Sequence, residues 1–175
     1  MGIDIWVVRG RADRWHVYDR LEDWSRTLQS RLDRMRKEMA PECERARAQQ
    51  LWNVACNALL RFDERYLLTF PPGWDDGYLC HWSQISGTPL RSGWLLSSVI
   101  SFSVDAGGPR YTREDWPAVF RESSSLLERC RAGEFSDWGE DACGDMIHFL
   151  NRVRSMALWI VDTQNPDEYR GFYSF

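Results

Sequence analysis

The feature that most constrains this chain is a long amphipathic segment, residues 140–161. Its apolar residues recur at steps of three and four, which is the period of an α-helix with one buried face. Asp137 is a good N-cap residue with Glu140 three positions later, and Asn165-Pro166 marks the end. Such a helix is about 33 Å long, enough to cross a small domain. We therefore expect a central core helix. Its nine apolar positions are Ala142, Met146, Phe149, Leu150, Val153, Met156, Ala157, Ile160 and Val161.

Three more helices are predicted from the same kind of pattern. One covers residues 17–39, and a second begins near Pro41 and runs to about Glu64. The short connection between these two predicts an antiparallel helical hairpin. Another helix is predicted over residues 113–131, with Thr112 as its cap. The apolar stripe of the first helix is Val17, Leu21, Trp24, Leu28, Leu32, Met35 and Met39.

Short β-branched and aromatic runs predict strands between these helices. Two of them flank a loop rich in glycine and proline, and this arrangement predicts a β-hairpin. The expected fold class is α+β. We expect a single domain, residues 1–175, with an N-terminal strand, a long helical hairpin, a small mainly antiparallel sheet, and two C-terminal helices including the core helix. The predicted strands are Gly2–Val8, Tyr66–Phe70, Tyr78–Trp82, Gly93–Val104 and Tyr169–Phe175. A helix is the competing interpretation for the first half of Gly93–Val104.

Composition argues against several classes of protein. With 26 acidic against 22 basic residues, the chain is a poor candidate for a general nucleic-acid binder. It lacks a run of 18 apolar residues and the marks of a signal peptide, so neither a membrane span nor export is expected. Five cysteines without a Cys-x-x-Cys pair predict free thiols in a reducing compartment, the cytoplasm. Lys37 is the only lysine, which we interpret as the coding bias of a GC-rich bacterial genome.

The sequence contains no recognisable catalytic motif, so no catalytic residue and no cofactor are predicted. There is no nucleophile elbow, phosphate-binding loop or His-Glu-x-x-His segment. One alternative stays open, because Asp141, Asp145 and His148 are spaced to share a helix face. That arrangement is typical of a divalent-metal site in a hydrolase or nuclease. The competing interpretation is that acidic residues in the first turns of a helix only complement its dipole.

The loop of residues 70–82 carries the preferred functional hypothesis. It combines aromatic and acidic side chains in the way of an interface hot spot that faces a basic partner. The competing interpretation is that Trp74 and Trp82 fold back into the core. Residues 132–175 add eight acidic against three basic residues to the negative charge. The predicted partner-binding residues are Trp74, Asp75, Asp76, Tyr78 and Trp82.

The preferred function is a non-enzymatic bacterial protein-binding module. It would be of the immunity or inhibitor type and would occlude a basic protein such as a toxin. A homo-oligomer that uses the stripe of residues 17–39 as its subunit contact is a third hypothesis.

Overall fold

The structure is a computed structural model that describes residues 4–62, 64–74, 77–81 and 111–174. The strand predicted at residues 93–104 lies outside this range. The helices are α1 (Ala12–Lys37), α2 (Glu42–Leu60), α3 (Trp116–Arg131) and α4 (Glu140–Thr163). The strands are β1 (Asp4–Gly10), β2 (Leu67–Leu68), β3 (Tyr78–His81), β4 (Tyr111–Thr112) and β5 (Tyr169–Ser174). This composition confirms the α+β fold class.

The described strands form one sheet in the order β2-β1-β5-β4, with β3 also paired to β1. The β1–β5, β4–β5 and β1–β3 pairs are antiparallel. The hairpin predicted between the second and third strands is wrong, because β3 pairs with β1 instead. Pro71 and Pro72 have no backbone N–H and so cannot extend β2 into a longer ladder. Both β2 and β3 are therefore neighbours of β1 in the sheet.

The chain divides into two compact units, of which the first contains residues 1–9 and 68–175. Its core is built on α4, which packs against α3. Eight of the nine predicted apolar positions of α4 are buried, and only Val161 is 37% exposed. The predicted core helix is therefore confirmed. Its predicted cap is wrong, because Ser136–Trp138 forms a 3-10 turn and Gly139, with φ of +95°, occupies the N-cap position.

The second unit contains residues 10–67 and consists mainly of α1 and α2. The two helices run antiparallel, as predicted, since Ser25 lies beside Cys56 and Arg36 beside Gln49. Just after α2, the Phe62 ring packs against Tyr18 at 4.9 Å. The predicted stripe of α1 is partly wrong, since Val17 and Trp24 are 38% and 41% exposed, and Met39 lies beyond the end of the helix and is 88% exposed. The helix begins at Ala12, five residues earlier than predicted, and the large rings of the first turns decide which face is buried.

The start of α3 also differs from the prediction. Helix α3 starts at Trp116 because Asp115, not Thr112, accepts the capping hydrogen bond from the Ala118 amide at 3.1 Å. Thr112 instead ends β4, opposite Gly171.

None of the helices that the structure describes is both long enough and apolar enough to cross a membrane.

Candidate functional site

The loop before β3 is fixed to the sheet by a glycine. The Gly77 carbonyl accepts a hydrogen bond from the Val7 amide at 2.8 Å. Gly77 has φ of +72°, and a Cβ at this position would lie 2.1 Å from the Val7 carbonyl oxygen and 2.6 Å from the Phe70 ring. Only glycine fits such an approach without a shift of the backbone. The loop that carries Trp74 is therefore anchored to β1 at its far end.

Trp74 lies on the core helix as part of an aromatic cluster, which we define as Phe70, Trp74, Trp159 and Tyr169. The Trp74 and Trp159 ring centroids are 5.7 Å apart, and Phe70 stacks on Trp159 at 6.3 Å. Tyr169 packs edge-on against Trp159 at 5.8 Å and is only 1% exposed. Phe70, Trp74 and Trp159 are half-buried. The aromatic cluster thus packs on the core, and three of its four residues remain partly accessible to solvent.

Polar contacts hold the inner edge of the aromatic cluster. Arg9 Nε donates to Glu168 Oε2 at 2.8 Å, and Arg9 Nη1 donates to the Thr69 carbonyl at 3.3 Å. The Arg9 guanidinium also lies 6.0 Å from the centre of the Tyr169 ring. The Tyr169 hydroxyl donates to Gln164 Oε1 at 3.0 Å. Burial raises the pKa of Tyr169, against an opposing effect of the Arg9 charge, so this hydroxyl keeps its proton at neutral pH.

The alternative site residues lie on the same flank of α4 as Trp159. Asp141, Asp145 and His148 are all exposed. At 100° per residue they share a flank with Trp159, and His148 is about 16 Å from it along the helix axis. In the described part of the chain, no group of three or more His, Cys, Asp or Glu side chains is arranged to hold a metal ion. The structure therefore gives these three residues a common face without assembling them as ligands.

The remaining predicted partner-binding residues are only partly covered. Asp75, Asp76 and Trp82 lie outside the described residues, and Tyr78 is described as the first backbone position of β3. Trp159, which packs against Trp74, is not among the site residues predicted from the sequence. The sequence feature that could identify it is a tryptophan next to the apolar stripe of the core helix.

A polar cleft lies at the start of α3, where buried Arg170 also lines it and several other charged groups engage one another. Arg113 approaches Asp167 at 4.0 Å, and Asp115 caps α3. Glu114 is 8% exposed and accepts a hydrogen bond from Thr112 Oγ1 at 2.7 Å. These contacts are those of a structural polar network. We therefore centre the candidate site on the aromatic cluster.

The chain is thus a helix-rich α+β protein that carries a half-buried tryptophan, Trp74, in the loop before β3. In comparisons with known proteins, no protein-family model, no curated protein and no solved structure matches the chain.

Proposed function

We propose that the chain is a non-enzymatic protein-binding module whose contact surface is centred on Trp74. The observation that carries this proposal is the packing of half-buried Trp74 on Trp159. Hot spots are enriched in tryptophan, and an anchor that is already held in place loses little conformational entropy on binding. Trp74 meets both conditions. Its loop is fixed at Gly77, and its ring is supported by a helix of the core.

Charge supports a basic partner. Asp162 is exposed one turn beyond Trp159, and Asp141 and Asp145 lie farther along the same flank of α4, beyond half-buried Arg152. The positive charge of Arg9 near the aromatic cluster is compensated by Glu168. The sequence also places Asp75 and Asp76 directly after Trp74. Complementary charge of this kind accelerates association and rejects acidic competitors.

The proposed mechanism is occlusion. The exposed parts of Trp74 and Phe70 would enter an apolar recess of the partner, and the surrounding carboxylates would pair with its arginine or lysine side chains. Covering a basic active site would inhibit a toxin or nuclease without any chemical step. The immunity-type or inhibitor role is thus the finer form of the proposal, and it rests on the same surface.

The test is capture of partners from a lysate of the native cell by the tagged wild-type protein and by Trp74→Ala. A matched control is Trp138→Ala, because Trp138 is also half-buried against the same core cluster. We expect one basic protein at near-equal stoichiometry with the wild type and the control. Its affinity should fall by about 30-fold or more with Trp74→Ala.

Two outcomes would contradict the proposal. One is a Trp74→Ala, Asp76→Ala double variant that keeps full complex formation with the captured protein. The other is a partnerless eluate that carries one divalent metal ion per chain, with loss of the metal on Asp145→Ala. That second result would favour the metal-dependent hydrolase.

A further inference from the structure

The helical hairpin exposes apolar side chains from both of its helices. Val17 and Trp24 of α1 are 38% and 41% exposed, and Leu51 and Val54 of α2 are 40% and 53% exposed. Single exposed apolar residues are ordinary on a protein surface. A contiguous group of them marks an interaction site.

Contacts across the hairpin show which side chains share a face. Ser25 Oγ lies 3.6 Å from Cys56 Sγ, which fixes the antiparallel register. Arg36 Nη2 donates to Gln49 Oε1 at 3.4 Å, so these two side chains mark one face. At 100° per residue, Val17 and Trp24 lie on the other side of the α1 contact stripe.

Helix α2 presents its exposed apolar side chains to the same side. Leu51 and Val54 lie on the side of the α2 contact stripe that is away from Gln49. The four apolar side chains therefore lie on one side of the hairpin, where Trp24, Leu51 and Val54 border a groove between the helices together with half-buried Leu21 and Ala58. We call this the hairpin groove.

Exposed arginines line both edges of the hairpin groove. Helical spacing places Arg20 and Arg31 along the α1 edge, and Arg47 and Arg61 along the α2 edge. All four are exposed, and none has an ion-pair partner within the described residues.

The opposite face of the hairpin differs, since two arginines of α1 are neutralised there. Arg26 pairs with Glu22, and Arg36 pairs with Asp33. Of the acidic residues on the groove side, Asp13 is bonded to Arg11, whereas Glu38 and exposed Glu44 lie near the turn that joins the two helices. The centre of the hairpin groove is thus apolar and positively charged in a chain whose net charge is −4.

We propose that the hairpin groove binds an acidic amphipathic helix of a protein partner. A third helix fits between two helices whose axes are about 8–10 Å apart and buries its own apolar stripe there. Arginines on both edges match carboxylates on both flanks of that stripe, and arginine is well suited to bind carboxylates in pairs. A second copy of the chain would instead bring the same positive edges together. This site is separate from the aromatic cluster and takes a partner of the opposite charge.

The direct test titrates the full chain with a synthetic amphipathic peptide of about 20 residues that carries leucine on one face and glutamate on both flanks. A matched peptide has lysine in place of glutamate, and a third has the acidic sequence scrambled. We expect the acidic peptide to bind about tenfold more tightly than either. Amide shifts in NMR spectra should be confined to α1 and α2.

Paired variants locate the site. Arg31→Glu with Arg47→Glu should reverse the preference between the glutamate and lysine peptides. Arg45→Glu is the control, because it makes the same change on the far side of α2. Val54→Glu should weaken binding about tenfold or more, whereas Leu60→Glu, at a position 58% exposed on the far side, should leave it unchanged. Circular dichroism of each variant confirms that it is folded.

Three results would overturn the proposal. Equal affinity for the three peptides would show that charge and helical pattern are not recognised. Binding to anionic vesicles that Val54→Glu abolishes, without peptide selectivity, would assign the hairpin groove to a membrane surface. A dimer in sedimentation that Val54→Glu dissociates would assign it to a second copy.

Discussion

Gly77 is the residue on which the position of the Trp74 loop depends. It occupies the left-handed region of the backbone, where side chains are disfavoured, and it also touches the Val7 carbonyl. The two constraints can be tested separately, because Gly133 has a left-handed backbone conformation without a close contact. Gly133 has φ of +82°, and a Cβ added there would have no neighbouring atom within 4 Å among the described residues.

Gly77→Ala should therefore lower the free energy of unfolding by about 2–4 kcal/mol through strain and overpacking. Gly133→Ala, the control for backbone conformation alone, should lower it by about 1 kcal/mol. Urea denaturation followed by tryptophan fluorescence measures both. Equal losses in the two variants would mean that the contact with Val7 does not fix the loop.

At the scale of the element, α4 organises the first unit through a single continuous face. Leu150 is fully buried at 0% exposure, and Leu158 on the outer side is 37% exposed. Leu150→Ala should lower the free energy of unfolding by about 2–5 kcal/mol, because it removes buried methyl groups and leaves a cavity. Leu158→Ala should cost less than about 1 kcal/mol. Thermal and chemical denaturation compare them, and similar losses would contradict the assignment of the buried face.

The elements that could be predicted from the sequence are those with a strong local signal. The stripe of α4 gives its buried face directly, since its apolar positions are frequent and regularly spaced. The first helix is harder, because Val17 and Trp24 fit the period as well as Trp15 and Tyr18 do. Only tertiary contact of the Trp15 ring with Phe62, at 5.2 Å, decides between the faces.

Strand pairing depends on contacts that are distant in sequence. A loop with glycine and proline suggests a hairpin, yet β3 pairs with β1, more than 70 positions away along the chain. The candidate site shows the same limit. Trp74 is predicted from its loop, whereas its support, Trp159, comes from a helix at the other end of the chain. Local patterns carry no information about such pairs.

At the scale of the whole molecule, the two units differ in how much of each helix they bury. Eight of the 24 residues of α4 are buried, against two of the 19 residues of α2, Ala48 and Ala55. The sequence predicts one domain, and the number of cooperative units stays a prediction. Local opening is easiest where few apolar side chains are buried. Six of the 26 residues of α1 are buried, so α2 is the helix expected to open first.

Amide hydrogen exchange of the full chain at neutral pH tests this expectation. Protection of α4 should approach the value set by global unfolding, whereas α2 should exchange at least about 100-fold faster through local opening. Helix α3 is the internal control, since six of its 16 residues are buried and its amides should follow those of α4. Uniform protection across all four helices would instead show one cooperative unit. In that case burial within α2 would not set its stability, and the hairpin would unfold only with the rest of the chain.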